Sequence, residues 1–221
     1  MSFDTGGFTL FSSVIDEGTL EELRAELTRL HSGGKAGVRS VLAQSPFIAA
    51  LANSEAITKL LPASGLKPVR SLLFDKTPEA NWPVAWHQDR TITVKERHDV
   101  DGYGPWTFKN QIHHVEPPAE LLAKMATLRI HLDDAGPENG ALSVVPGSHR
   151  HGKIPPDHIA GMAEANATAI TCVAGDVFMM RPLLLHSSRR ATRPAHRRVI
   201  HLEFADPEMI DPHLSWAEWS G

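Results

Sequence analysis

The sequence predicts a mainly β protein, an antiparallel sandwich or jelly roll with helices packed on its outside. The helices that the sequence predicts come first, before about residue 65, and the predicted strands follow. The short apolar segments that follow are bounded by Gly, Pro, Asn and Asp, which is typical of strands joined by turns. Helices and strands do not alternate along the chain, and this argues against a parallel βαβ sheet. A jelly roll is the architecture that fits these three observations best.

Helices are predicted in the first part of the chain, about residues 1–65. Residues 17–31 contain four leucines at spacings of three and four, the pattern of an amphipathic helix: Leu20, Leu23, Leu27 and Leu30. Two more helices are predicted at 44–52 and 54–61, the second ending before Pro62.

Strands are predicted in the jelly-roll core, about residues 66–206, at 69–74, 127–132, 141–145, 169–173, 176–180 and 198–204. The stretch 90–124 is polar and contains Trp, Tyr, His, Gly and Pro, so we interpret it as an insertion. Long ordered segments of this kind are often functional. We expect all of residues 1–221 to form one domain.

Composition excludes several classes of protein. With 221 residues and 42% hydrophobic side chains, the chain can bury one core. A net charge of −4 and a pI of about 6.3 indicate no nucleic-acid partner. A single cysteine excludes an intramolecular disulfide, and no signal peptide or long apolar run is present. We therefore expect a cytoplasmic protein without membrane contact, while the oligomeric state is left open.

Candidate metal ligands lie in two places. His87 and Asp89 are two residues apart, so on a strand they would point to the same face. His186 follows an apolar segment and is expected at the end of a buried strand. Two imidazoles and one carboxylate form the facial triad that suits non-haem Fe(II) and leaves positions for a chelating keto acid and dioxygen. His-x-Asp also arises by chance, and zinc uses similar ligands, so both alternatives stay open at this point.

Two residues near His186 suit the far carboxylate of a keto acid. Arg197 offers a bidentate fork of donors, and Ser188 offers a hydroxyl. The alternative is that Arg197 belongs to an exposed basic turn with its neighbours Arg189, Arg190, Arg193 and Arg198.

Four segments in this order resemble the phytanoyl-CoA dioxygenase-like family of Fe(II)/2-oxoglutarate oxygenases: WHQD (86–89), ENGALSVVPGSH (138–149), GDVFMMRPLLLHSS (175–188) and RRVIHLEF (197–204). The resemblance spans about residues 66–206. It implies a double-stranded β-helix core, which is a cupin-like jelly roll. It also implies that iron is bound by the catalytic residues His87, Asp89 and His186, and 2-oxoglutarate by Ser188 and Arg197.

The resemblance also suggests further site residues. Lys76 and Arg129 point into the mouth of the barrel, and bind the cosubstrate, if their strands follow the parity of the neighbouring motifs. Relatives often have an aromatic residue in place of Arg129, so this arginine contacts either the cosubstrate or an anionic substrate group, or is a salt-bridged strand residue. Four residues are candidates for the substrate pocket: Trp86, Trp106, His113 and His114. Paired histidines in a loop are also common on surfaces.

The function implied by the resemblance is hydroxylation of a small organic substrate by O2, with release of succinate and CO2. Asp89 favours hydroxylation because halogenating relatives lack this carboxylate. The two alternatives are a catalytically silent jelly-roll binding protein and a cupin-type metalloenzyme that does not use 2-oxoglutarate. The sequence does not indicate the substrate.

Overall fold

The computed structural model of the chain describes residues 2–30 and 37–219. Its helices α1–α7 are Phe3–Gly6, Glu17–Leu30, Val41–Gln44, Pro46–Ala52, Glu55–Thr58, Ala119–Lys124 and Pro156–Asn166. Its strands β1–β13 are Phe8–Phe11, Gly37–Arg39, Lys67–Lys76, Val84–His87, Ile92–Val94, Trp106–Lys109, Ile112–Val115, Ala126–His131, Leu142–Val144, Thr168–Ile170, Val177–Met180, His186–Ser188 and Arg197–Ala205. Among these helices, none is both long and apolar enough to cross a membrane.

Two antiparallel sheets form the core and confirm the predicted jelly roll. The larger sheet has the order β1-β11-β8-β13-β3-β2, and the smaller has the order β10-β9-β12-β4. They pack through an apolar cluster in which Phe178 and Met180 of the large sheet meet Leu142 and Val144 of the small one. Strands distant in sequence are neighbours in both sheets, so residues from both halves of the chain can meet between them.

Side-chain alternation in the large sheet separates an apolar outer face from an inner face that carries both apolar and charged residues. Leu128, Ile130, Ile200 and Leu202 share an apolar cluster with leucines of α2. Because side chains alternate along a strand, the residues between them, such as Arg129 and His201, point toward the small sheet. The large sheet therefore has a helix-covered outer face and an inner face with charged residues.

The predicted helices are present with changed ends. α2 occupies Glu17–Leu30, and the last predicted residue, His31, lies outside the described residues. The helix predicted at 44–52 is divided at Ser45, where the backbone is extended. The Ser45 hydroxyl accepts a hydrogen bond from the N–H of Ile48 and so caps the start of α4. The helix predicted at 54–61 is shortened to Glu55–Thr58.

The polar segment 90–124 contains a small sheet of its own, in the order β5-β7-β6, followed by α6. Its apolar side chains, including Ile92, Val115 and Leu122, form a second cluster with Trp216 near the end of the chain. The backbone N–H of Asp211 also donates to the hydroxyl of Tyr103. The same cluster contains Val69 of β3 and Ala205 of β13, so the segment is packed on the jelly roll through apolar contacts.

Candidate metal centre

Two strands of the small sheet bring the three candidate ligands together. His87 is the last residue of β4 and His186 the first of β12, and the two are cross-strand partners. Two sequence expectations need correction here. Asp89 lies beyond the end of β4, where its N–H donates to the carbonyl of Pro182, and His186 begins a strand instead of ending one. An irregular segment after β4 places the carboxylate beside the imidazoles, where strand alternation was expected to do so.

The geometry of the triad suits a metal ion. One potential ligand atom from each of His87, Asp89 and His186 lies within 4.8 Å of the others. Nε2 of His87 is 3.7 Å from one carboxylate oxygen of Asp89, and Nε2 of His186 is 3.8 Å from the other. Each Nδ1 lies 2.8–2.9 Å from a backbone carbonyl, of Ala85 or Leu184. Because a carbonyl only accepts, each Nδ1 carries the proton, and both Nε2 lone pairs face the carboxylate.

The electrostatics also fit a bound cation. Burial lowers the pKa of His186 to about 4, although Asp89 opposes this shift, so the imidazole is neutral and able to ligate at pH 7. For Asp89, burial opposes ionisation, but His186, His201 and His87 outweigh it and hold its pKa below the usual value. One buried oxygen of Asp89 has no hydrogen-bond partner within residues 2–30 and 37–219. A metal ion would satisfy this oxygen, whose isolation is otherwise costly.

Arg197 and Ser188 lie on the wall of the same cavity. Arg197 begins β13, is only 2% exposed and donates to the carbonyl of Gly140 at 2.6 Å. The Ser188 hydroxyl donates to the same carbonyl at 2.8 Å. Arg189 and Arg190 are exposed, so Arg197 is not part of the basic turn that formed the alternative interpretation.

Gly140 is a site residue that sequence reasoning missed. Its φ of +66° is left-handed, and a Cβ atom there would lie 2.7 Å from the carbonyl of Arg189 and 3.2 Å from Nζ of Lys76. Only glycine fits this position without displacing its neighbours. The one available signal was its place in the ENGALSVV segment, where a glycine follows a turn.

Lys76 and Arg129 both line the cavity, as strand parity predicted. Nζ of Lys76 donates to Ser188 Oγ and to the carbonyl of Arg189, each at 2.7 Å. Burial, followed by repulsion from Arg197 and Arg129, lowers the pKa of Lys76 to about 7. Arg129 is buried and forms no ion pair with any carboxylate of the described chain, so it is not a salt-bridged strand residue.

The cavity has a volume of about 180 Å³. Its lining contains six residues that the sequence did not single out: Phe74, Trp82, Val84, Leu142, Ser187 and His201. Parity could have found two of them, since Phe74 is two residues from Lys76 and His201 is four from Arg197. Trp82 lies in the β3–β4 connection, where no periodicity applies.

The four proposed substrate residues are not brought to this cavity. Trp86 alternates with His87 on β4 and packs against a different cluster that contains Leu185. Trp106 packs in the segment 90–124, where His113 lies against Phe108. His114 is buried beside Arg70 and Thr93 in a separate small cavity. All four residues therefore pack elsewhere, and none of them is among the residues that line the metal cavity.

Comparison with known proteins supports the resemblance. The sequence model of the phytanoyl-CoA dioxygenase (PhyH) family matches residues 3–199. The chain belongs to the phytanoyl-CoA dioxygenase family. A comparison with curated proteins found no match. The matched range includes His87, Asp89 and His186.

Solved structures share the fold of this phytanoyl-CoA dioxygenase family member. AviO1 from Streptomyces viridochromogenes Tue57 is 25% identical, with a TM-score of 0.68 over 95% of this chain and 94% of that one. HygX from Streptomyces hygroscopicus, solved with nickel and 2-oxoglutarate bound, is 20% identical, with a TM-score of 0.66 over 92% and 83%. The epimerase SnoN, in complex with Fe³⁺, alpha ketoglutarate and nogalamycin RO, is 18% identical, with a TM-score of 0.73 over 99% and 93%.

Proposed function

We propose that the protein is an Fe(II)- and 2-oxoglutarate-dependent dioxygenase that uses O2 to hydroxylate a small organic substrate, releasing succinate and CO2. The observation that carries this proposal is the convergence of His87, Asp89 and His186 in one cavity with Arg197 and Ser188 on its wall. A silent binding module has no need of this combination. A metalloenzyme without 2-oxoglutarate has no need of the buried arginine.

Each group has a distinct task in this proposal. His87 and His186 supply neutral nitrogen ligands, and Asp89 supplies the single negative charge that leaves an Fe(II) site with a net charge of +1. Bound Fe(II) and the keto acid supply the oxidising power of the reaction. The carbonyl of Gly140 accepts from Arg197, so the remaining guanidinium donors of Arg197 are oriented before the far carboxylate arrives. Ser188 uses its one O–H on the same carbonyl, so it donates to the cosubstrate only after turning away from Gly140.

The choice of hydroxylation rests on Asp89. Its carboxylate fills the third protein position of the triad, which leaves no place for a halide ligand. The related fold of SnoN belongs to an epimerase, and a fold alone does not determine the reaction. We also propose that residues 1–221 act as one domain, and that the protein works in the reducing cytoplasm that its single cysteine suggests.

Succinate formation is the direct test of this function. We expect the purified protein to convert 2-oxoglutarate to succinate slowly without substrate, provided that Fe(II) and O2 are present. Omitting either one stops the conversion. Metal binding without binding of 2-oxoglutarate would favour the cupin-type alternative, and absence of both would favour the silent module.

Lys76 should make binding of 2-oxoglutarate dependent on pH. The cosubstrate is a dianion, so it binds best when Lys76 is charged, and the free protein loses this charge as pH rises through about 7. Affinity should therefore fall above pH 7, by up to about tenfold per pH unit. Anaerobic titration of Lys76→Met should give weaker binding at pH 6 and a nearly flat profile between pH 7 and 8.5.

The matched control for this prediction is Lys67→Met, which changes an exposed lysine at the other end of β3. It should keep the wild-type pH profile. A Lys76→Met profile parallel to that of the wild type would contradict the assignment.

A further inference from the structure

The metal cavity contains more positive charge than iron and 2-oxoglutarate require. Its lining includes Lys76, Arg129 and Arg197, with Asp89 as its carboxylate. When Fe(II) and the keto-acid dianion are added, the three cations and the metal exceed the negative charges by two. Lys76 is already bonded to Ser188 at the cosubstrate end of the cavity. Arg197 and Lys76 face the far carboxylate of the proposed cosubstrate, so Arg129 carries one of the two excess charges and is left without an anionic partner.

The backbone of Arg129 lies at a different level of the large sheet from that of Arg197, although, in addition to burial, the charge of Arg129 contributes to the lowered pKa of both Lys76 and Arg197. Its cross-strand partner is His201, which is four residues beyond Arg197 on the same face of β13, or about 13 Å along the strand. A five-carbon keto acid has only about 6 Å between its carboxylates. With one carboxylate on Arg197 and the other on iron, both ends of the cosubstrate have partners without Arg129.

Buried hydrogen bonds hold Arg129 in place. Its Nη1 donates to Nδ1 of His201 at 3.1 Å, so the opposite ring nitrogen carries the proton and faces Glu203 at 3.4 Å. Glu203 is itself paired with Arg70 at 2.9 Å. The negative charge of Glu203 is thus neutralised by Arg70 and does not compensate Arg129. This arrangement fixes the guanidinium at the inner face without removing its charge.

Arg129 also has an unmet hydrogen bond. It is only 6% exposed, and its buried Nε has no partner in the part of the chain that the structure describes. An unpaired buried donor on a charged group is costly, and an anion would satisfy both the donor and the charge. Outside the cavity, Arg189 and Arg190 directly follow Ser188, are exposed and form no ion pair with other described residues. They would attract an anion toward the mouth although the whole chain carries −4.

We propose that Arg129 binds an anionic group of the primary substrate, which is therefore a small organic carboxylate or phosphate ester. The proposal rests on the proposed function, because the substrate is defined as the molecule oxidised beside the iron. His201 also lines the cavity, and in this scheme it acts as a positioning residue because its Nδ1 accepts from Arg129 Nη1.

The test uses the anaerobic complex of the protein with Fe(II) and 2-oxoglutarate, followed by its keto-acid absorption band. Butyrate, butyl phosphate and butyramide serve as probes of similar size and different charge. We expect the two anions to perturb the band and the neutral amide to leave it unchanged. Arg129→Gln should weaken binding of the anions about 10- to 100-fold, and binding of 2-oxoglutarate less than about threefold. The relative strength of the two anions identifies the carboxylate or the phosphate class.

Arg193→Gln is the matched control, because it removes the same charge from an exposed arginine paired with Glu138 and should bind the probes like wild type. The proposal is overturned if the amide binds as well as butyrate, if none of the probes binds, or if Arg129→Gln loses 2-oxoglutarate as severely as Arg197→Gln. Failure of the absorption band to form in the wild type would instead reject the proposed function itself.

Discussion

Replacing His186 with alanine is expected to abolish Fe(II) binding at micromolar metal. The imidazole is neutral, and its Nε2 lone pair faces Asp89, so the substitution removes one of three ligands and leaves a buried gap in its place. Even changes to groups around metal ligands weaken binding 10- to 100-fold, so loss of a ligand should exceed about 100-fold. His87→Ala should have a similar effect. Metal analysis after anaerobic loading measures both.

His158→Ala is the control for these variants, because His158 is an exposed histidine on α7 away from the cavity. It should retain the iron content of the wild type. Full iron occupancy in His186→Ala or His87→Ala would show that the three residues do not form the metal site.

Arg197→Ala should weaken 2-oxoglutarate binding by about 2 to 4 kcal/mol while iron remains bound. This loss corresponds to roughly 30- to 700-fold in the dissociation constant. The cause is removal of a buried charged fork that is held by the carbonyl of Gly140. Titration of the anaerobic iron complex gives the constant.

The adjacent residue provides a sharp control. Arg198 lies on the opposite face of β13, where its side chain forms a two-point ion pair with Asp133. Arg198→Ala should therefore bind 2-oxoglutarate like wild type. If Arg198→Ala loses the cosubstrate and Arg197→Ala does not, the residues of β13 face the cavity with the opposite parity.

The sequence predicted the structure correctly where a local pattern determines the face of a strand or helix to which a side chain points. Alternation along β3, β8 and β13 predicted that Lys76 and Arg129 face the same cavity, and leucine spacing predicted α2. Family motifs predicted the jelly roll and the triad residues. The inferences from alternation and from leucine spacing depend on short-range geometry, which the sequence encodes directly.

Other features depend on contacts that no local pattern contains. Asp89 reaches the triad from an irregular segment, where its N–H donates to the carbonyl of Pro182, a residue far along the chain. Trp82 reaches the cavity from a loop. Trp106 instead packs against the apolar cluster beside its own small sheet. Aromatic residues near a motif were therefore a poor guide to the pocket, because competing apolar surfaces decide where such side chains are buried.

The pairing of His87 with His186 has a consequence for folding. β4 is an edge strand of the small sheet. It has four residues and pairs with β12 through an irregular register. The two imidazoles are 99 positions apart in sequence (186 minus 87), so a shared metal ion would close a very long loop of the unfolded chain. The ion would then act as a removable cross-link that secures an otherwise weakly held edge. Chelation should therefore lower the melting temperature and expose the amides of β4 to hydrogen exchange before those of the large sheet.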